Sequence, residues 1–229
     1  MLPATCLGVP AIVYDNFYEE PDAVRKYALS LKYDDTEGIY PGVRTKQNAV
    51  NEKLNKLTKD LLTSRISELF VKQPIVESVR NQFQKIPNFS ADKDNPLNWG
   101  WIHRDSIEPN PIPPSLAGIV YLDPNPTSDT GTSFYESKIE PINWEFSKWE
   151  GGNIRLDFYK NKSTDICNKY IDVVKKHNSQ FRRIMEVENK YNRLVIYNGS
   201  DYHAMTSCYT KHDNVRLTQV LFYNFPDIY

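Results

Sequence analysis

A mainly β fold with flanking helices is what this sequence predicts, an antiparallel sandwich or barrel backed by helices near its N-terminus. Two observations carry that expectation. From about residue 75 onward, short β-branched and aromatic runs alternate with clusters of Pro, Asn, Asp and Gly, the punctuation of strands joined by turns. Aromatics make up 13% of the 229 residues, with 15 Tyr and 10 Phe, side chains that suit a pleated, half-buried surface.

Residues 9–14 (VPAIVY) read as a short strand, with Asp15 and Asn16 as turn or cap residues. Pro21 suits the first turn of a helix over 21–31. The stretch 33–48 holds two Gly and one Pro and reads as a loop, in which Arg44 is assigned to the surface rather than to an acidic group of a substrate. The clearest helix is 50–70. Its Val50, Leu54, Leu57, Leu61, Leu62, Ile66, Leu69 and Phe70 recur largely at steps of three and four, which gives one apolar face to pack on the outside of the β core. Strands are expected near 75–85, 97–103, 116–122, 132–136, 153–159, 180–188, 193–198, 203–208 and 214–225, with a helix at 163–177 interrupting them. With no repeat, low-complexity segment or linker, one domain spans 1–229: support elements in 1–95 and the β core in 96–229. An insertion at about 137–179 carries Trp144 and Trp149, and reads either as a lid or as packing against the core.

Charge and composition narrow the functional classes. Lys+Arg is 28 and Asp+Glu is 29, a net charge of −1, so there is no excess of basic residues to track a nucleic acid or to hold an anionic membrane surface. No apolar run approaches the roughly 18 residues of a membrane span, and the first residues lack a basic, then apolar, leader. A cytoplasmic location is the default expectation. Cys6, Cys167 and Cys208 are odd in number and far apart, so neither a disulfide framework nor a zinc knuckle is expected.

The chain has only 4 His. His177 closes the 163–177 helix beside Lys175 and Lys176, which reads as a solvated helix C-terminus; His212 lies in a polar turn. His103 differs. It ends the strand-like run Trp99-Gly-Trp-Ile-His, and alternation puts His103 and Asp105 on one face and Arg104 on the other. An imidazole and a carboxylate so spaced can grip one metal ion, or form a strand-end ion pair. The string His103-Arg-Asp-Ser-Ile-Glu-Pro-Asn110 also fits a kinase catalytic loop, but no G-x-G-x-x-G and no D-F-G accompany it, so that match is a coincidence. His203 opens a strand after the turn Asn198-Gly-Ser-Asp201. Farther on, Arg216, Thr218, Val220 and Phe222 share one face of a strand, and Leu217, Gln219, Leu221 and Tyr223 the other. Arg216 beside Thr218 is a cation plus a hydroxyl, a pair able to hold a carboxylate.

The order His103-x-Asp105, then His203, then Arg216-x-Thr218 resembles the Fe(II)/2-oxoglutarate-dependent dioxygenase superfamily, and within it the prolyl-4-hydroxylase-like branch. Gly118-Ile-Val-Tyr-Leu-Asp123 is similar to that family's "YLN" strand, and Gly131-Thr-Ser-Phe-Tyr135 to its "GGxxxF" strand, with Thr130 in place of the first Gly. The resemblance covers roughly 97–225. It implies a double-stranded β-helix (jelly-roll, cupin-like) core, with His103, Asp105 and His203 as ligands of Fe(II). It implies further that Arg216, Thr218 and Tyr121 hold the distal carboxylate of the cosubstrate 2-oxoglutarate. Dioxygen would be consumed, succinate and CO2 released, and an unactivated C–H of a protein side chain, amino acid or small metabolite hydroxylated. Related halogenases lack the carboxylate found here at Asp105, so its presence favours hydroxylation, demethylation or desaturation. Two other readings stay open: a jelly-roll binding module that keeps a metal for structure, and a cupin-type metalloenzyme that does not use 2-oxoglutarate.

Overall fold

The computed structural model describes residues 9–34, 40–68, 78–105, 115–127, 129–139, 151–211 and 215–224. A short strand β1 (Ile12–Tyr14) leads into helix α1 (Pro21–Ser30), opened by Pro21 at its first position. Strands β2 (Tyr33–Asp34) and β3 (Val43–Thr45) follow, so the stretch predicted as loop holds a small antiparallel pair. Helix α2 (Glu52–Ser67) is capped by Asn51, whose side chain accepts from the Leu54 amide at 2.9 Å. Then come β4 (Ser78–Pro87), a single 3-10 turn at Pro96–Asn98, β5 (Ser115–Tyr121), β6 (Thr132–Ser137), α3 (Gly151–Lys160), α4 (Thr164–Asn178), β7 (Phe181–Val187), β8 (Leu194–Asn198), β9 (Tyr202–Met205) and β10 (Val215–Asn224). None of the helices among the described residues is long and apolar enough to cross a membrane.

The strands form a seven-stranded sheet in the order β1-β8-β5-β10-β4-β3-β2 and a three-stranded sheet in the order β7-β6-β9. Every pairing is antiparallel, and few neighbours are consecutive in sequence, which is how a jelly roll is wound. Alternation sends each strand's residues to opposite faces of the large sheet. Phe83, Leu116, Val120, Leu217, Leu221 and Tyr223 face outward and bury against Leu54, Leu62 and Ile66 of α2 and Val24 and Ala28 of α1. Ala117, Tyr121, Val195 and Tyr197 face inward and meet Phe134 and Val187 of the small sheet. The helix predicted for 50–70 is Glu52–Ser67 and covers the outside of the β core through Leu54, Leu62 and Ile66, with Leu57 exposed; Leu69 and Phe70 lie outside the described residues.

Two expected strands are corrected. Residues 153–159 lie in α3, where Ile154 and Phe158 stand one turn apart and pack with Tyr170 and Val174 of α4. The apolar spacing of four that decides this is helical and long range in its consequence: it needs α4 as a partner. Residues 97–103 do not form a regular strand either. They begin within the 3-10 turn and run on with isolated bridges at Trp99↔Ser207 and His103↔His203, while Ile102 packs on Phe181 and Ala204 of the small sheet. Gly100 permits that approach, since a Cβ there would stand 2.1 Å from the Met205 carbonyl oxygen. Trp144, Trp149 and His212 lie outside the described residues, as does the part of the insertion that would bear on a lid.

Candidate metal centre and its cavity

His103 and His203 are a hundred residues apart in sequence and directly opposite in space. The His103 amide donates to the His203 carbonyl at 3.0 Å and the His203 amide returns the bond at 2.9 Å, so the two imidazoles project side by side with centroids 4.6 Å apart. The Asp105 amide donates to the Gly199 carbonyl at 2.8 Å, tying the carboxylate's backbone to the tight turn that precedes His203. The result is a cluster in which one ligand atom from each of His103, Asp105 and His203 lies within 4.8 Å of the others. The carboxylate faces both rings, with Oδ1 3.6 Å from His103 Nε2 and Oδ2 3.3 Å from His203 Nε2.

The tautomers follow from the partners on the far side of each ring. His103 Nδ1 lies 2.8 Å from the Trp101 carbonyl, and His203 Nδ1 2.8 Å from the Asp201 carbonyl. A carbonyl only accepts, so Nδ1 carries a hydrogen in both rings, and Nε2 is the nitrogen left facing Asp105 and free to ligate. The same device, a carbonyl two residues upstream, presets both. Side-chain exposure is 4% for His203, 19% for Asp105 and 39% for His103, so the cluster opens on the His103 side.

Electrostatics match this geometry. Burial raises the Asp105 carboxyl's cost of ionisation, yet His203 and His103 beside it hold its pKa well below the carboxylate range. Burial and the neighbouring His203 push His103 down. Burial pulls His203 down, but the Asp105 carboxylate and Asp201 together more than offset it, so its pKa moves up. Two imidazoles and one anionic carboxylate on one side, with open space opposite, suit a divalent cation such as Fe(II).

The cluster faces a cavity of about 560 Å³ whose wall includes Arg216 and Thr218 of β10. Arg216 is 2% exposed and Thr218 1%. Arg216 Nε donates to the Thr130 carbonyl at 3.0 Å, but its Nη2 and the Thr218 hydroxyl have no partner. Buried polar groups are almost always satisfied, and a guanidinium N–H beside a free hydroxyl is a receptor for an oxyanion. The remaining predicted residue, Tyr121, sits opposite Thr218 in register, but its hydroxyl is 2.7 Å from Thr132 Oγ1 and its ring lies under the Arg216 guanidinium at 5.4 Å. It supports Arg216 from below, while Thr132 takes the place on the cavity wall.

Three sequence assignments are revised. His177 is not a solvated helix end. It is 2% exposed, stacked on Trp101 at 3.9 Å, with Nε2 2.7 Å from the Ile102 carbonyl. With Asn178, which donates to the Gly100 carbonyl at 2.9 Å, it fastens α4 to the segment that carries His103. Arg44, expected on the open surface, is half-buried in the cavity wall. β3 pairs with β4 through Arg44↔Gln84, and this register turns Arg44 into the cavity. Arg104, expected to face away from His103, also lines it, as does Arg155 of α3, which sequence reasoning missed. No local pattern marks Arg44 or Arg155; their place depends on which strand or helix their element packs against.

The family described as Family of unknown function (DUF6445) matches residues 4–215. No curated protein sequence matches the chain. Among solved structures, HygX from Streptomyces hygroscopicus with nickel, 2-oxoglutarate and hygromycin B bound is similar, with a TM-score of 0.58, 13% identity and coverage of 96% of this chain and 84% of that one. A prolyl hydroxylase from Trichoplax adhaerens, in complex with a hypoxia inducible factor peptide, has a TM-score of 0.55, 12% identity and coverage of 94% and 83%. An oxidoreductase of the 2OG-Fe(II) oxygenase family from Burkholderia pseudomallei has a TM-score of 0.52, 11% identity and coverage of 94% and 84%. The fold is that of these oxygenases, a jelly-roll core with flanking helices.

Proposed function

The chain belongs to DUF6445, and we propose that it is an Fe(II)- and 2-oxoglutarate-dependent oxygenase that hydroxylates an unactivated C–H bond and releases succinate and CO2. One observation carries the reading: a His103–Asp105–His203 cluster and the unpaired polar atoms of Arg216 and Thr218 share one cavity. A metal held only for structure would have no use for the second feature. A cupin-type enzyme working without a 2-oxo acid would leave a buried guanidinium N–H unsatisfied, which costs about 1–3 kcal/mol or more for a charged group.

In this reading His103, Asp105 and His203 hold the iron through Nε2, a carboxylate oxygen and Nε2. Bound there, the metal supplies dioxygen activation coupled to oxidation of the 2-oxo acid. The protein's own residues do the rest. The Trp101 and Asp201 carbonyls keep both imidazoles in the ligating tautomer. Arg216 Nη2 and the Thr218 hydroxyl receive the distal carboxylate of 2-oxoglutarate, and Tyr121 and Thr130 hold the guanidinium in place. The motif order and the Tyr121 strand support a place in the prolyl-4-hydroxylase-like branch.

Anaerobic addition of Fe(II) and 2-oxoglutarate should raise a visible charge-transfer band. His203→Ala should abolish it. Arg216→Ala, which removes charge-assisted hydrogen bonds of about 1.5–3 kcal/mol, should weaken 2-oxoglutarate about 10- to 100-fold while leaving iron binding intact. A folded, iron-loaded protein that gives no band sinks the proposal.

A further inference from the structure

We infer that the substrate of this site carries an oxyanion, a carboxylate or phosphoryl group, which docks on Arg44 at a position separate from the Arg216–Thr218 pair. The separation is set by strand register. Tyr121, Thr218, Gln84 and Arg44 lie in one row across β5, β10, β4 and β3. At about 4.8 Å between neighbouring strands, Arg44 is displaced by two strands, roughly 10 Å at the backbone, from Thr218. An anion bound by Arg216 and Thr218 leaves Arg44 for something else.

Arg44 is prepared for a ligand. Gly42 just before it has φ 74°, and a Cβ there would meet the Lys85 carbonyl oxygen at 2.0 Å, so β3 can lie tightly on β4 only with glycine at that point. The Arg44 guanidinium lies over the Tyr40 ring at 3.9 Å, a contact that engages its face rather than its hydrogen-bonding edges, and both residues line the cavity. Its Nε is buried without a partner. The acid opposite it in register, Asp34, is engaged by Lys46 at 3.6 Å. Burial pulls the Arg44 pKa down, against the opposing charges of Tyr40, Asp105 and Tyr197.

Charge balance points the same way. The described residues lining the cavity include Arg44, Arg104, Arg155 and Arg216 but only one carboxylate, Asp105. In the oxygenase reading, the iron's two charges, Asp105, the two carboxylates of 2-oxoglutarate and Arg216 cancel among themselves. Arg44 takes no part in that balance, and its charge is open to a ligand of opposite sign. A neutral group would leave the Arg44 guanidinium without a charged partner, whereas an anionic one is oriented by charge-assisted hydrogen bonds to it. Tyr40, Tyr159, Phe181 and Tyr202 line the same cavity and supply an apolar wall for the rest of the molecule.

The anion site rests on the oxygenase reading only for its relation to the reacting carbon, and the two can fail separately. Isothermal titration of the metal-free protein with benzyl phosphate, phenylacetate and benzyl alcohol tests it. At least one anion should bind ten times or more tighter than the alcohol, and the tighter of the two names the group. Arg44→Gln should weaken that anion at least tenfold, and Arg44→Lys should recover part of the loss by restoring the charge. Arg216→Gln should change anion affinity less than threefold while weakening 2-oxoglutarate binding to the metal-loaded protein about 10- to 100-fold. Equal affinity for the alcohol, no binding of any probe, or an anion affinity that ignores Arg44→Gln and Arg44→Lys alike would overturn the inference, even if the charge-transfer band forms. Arg44-dependent binding in a protein that forms no band would uphold it and reject the oxygenase.

Discussion

Acidification from pH 7 to pH 4 should destabilise this protein through His177 more than through an ordinary histidine. The ring is 2% exposed, stacked on Trp101 at 3.9 Å and tilted against Phe181 at 5.2 Å, with Nε2 donating to the Ile102 carbonyl. Burial in that aromatic sandwich pushes its pKa down to about 4, against the hydrogen bond to Ile102, which favours the charged ring. In the unfolded chain the value returns to about 6.5. Above pH 6.5 both states are neutral and His177 contributes no pH dependence. Below it the unfolded chain takes up a proton that the folded one refuses, and stability falls until the folded ring titrates near pH 4. At about 1.4 kcal/mol per pH unit the full loss is about 3 kcal/mol. That is a large part of the 5–15 kcal/mol typical of a domain. Urea unfolding of the metal-free protein, followed by tryptophan fluorescence at pH 7.5, 6.5, 5.5 and 4.5, measures it. His177→Gln keeps a donor for the Ile102 carbonyl but cannot titrate. It should start lower at pH 7.5, having lost the stack, and then fall about 3 kcal/mol less than wild type by pH 4.5. His103, Asp105 and His203 titrate in both proteins and cancel in the difference. Parallel curves would refute the reasoning, since a ring that keeps its ordinary pKa adds no difference between them.

Two further substitutions separate the site from its scaffold. Gly100→Ala places a Cβ 2.1 Å from the Met205 carbonyl oxygen, so the segment bearing His103 must lift from β9; Ni(II) affinity should drop tenfold or more, and unchanged Ni(II) titration would show that the bridge does not position the cluster. Leu62→Ala empties a fully buried position of α2, packed against the outer face of the large sheet; chemical denaturation should register a loss of about 2–5 kcal/mol, with Ni(II) affinity in the folded protein within threefold of wild type.

What the sequence determined alone is whatever short-range periodicity encodes. The apolar face of 50–70 foretold α2 on the outside of the core, because a helix repeat can be read without knowing its partner. Alternation along β10 separated Arg216, Thr218, Val220 and Phe222 from Leu217, Leu221 and Tyr223, and the sheet does present the first set to the cavity and the second to the helices. The His-x-Asp spacing and the strand-opening His203 marked the cluster. What only the tertiary structure decided is which distant elements meet. Arg44 reads as a loop residue until β3 registers on β4, and that register is fixed by a close backbone approach at Gly42 with no local signature. His177 reads as solvated beside Lys175 and Lys176, because the Trp101 that buries it is supplied by a segment seventy-six residues away. The α3 stretch looks like a strand until α4 gives Ile154 and Phe158 a surface to cover. Side-chain direction is a local property of the backbone repeat, whereas burial and charge environment belong to pairs of segments, and the free energy that chooses those pairs is the burial of surfaces far apart in the chain.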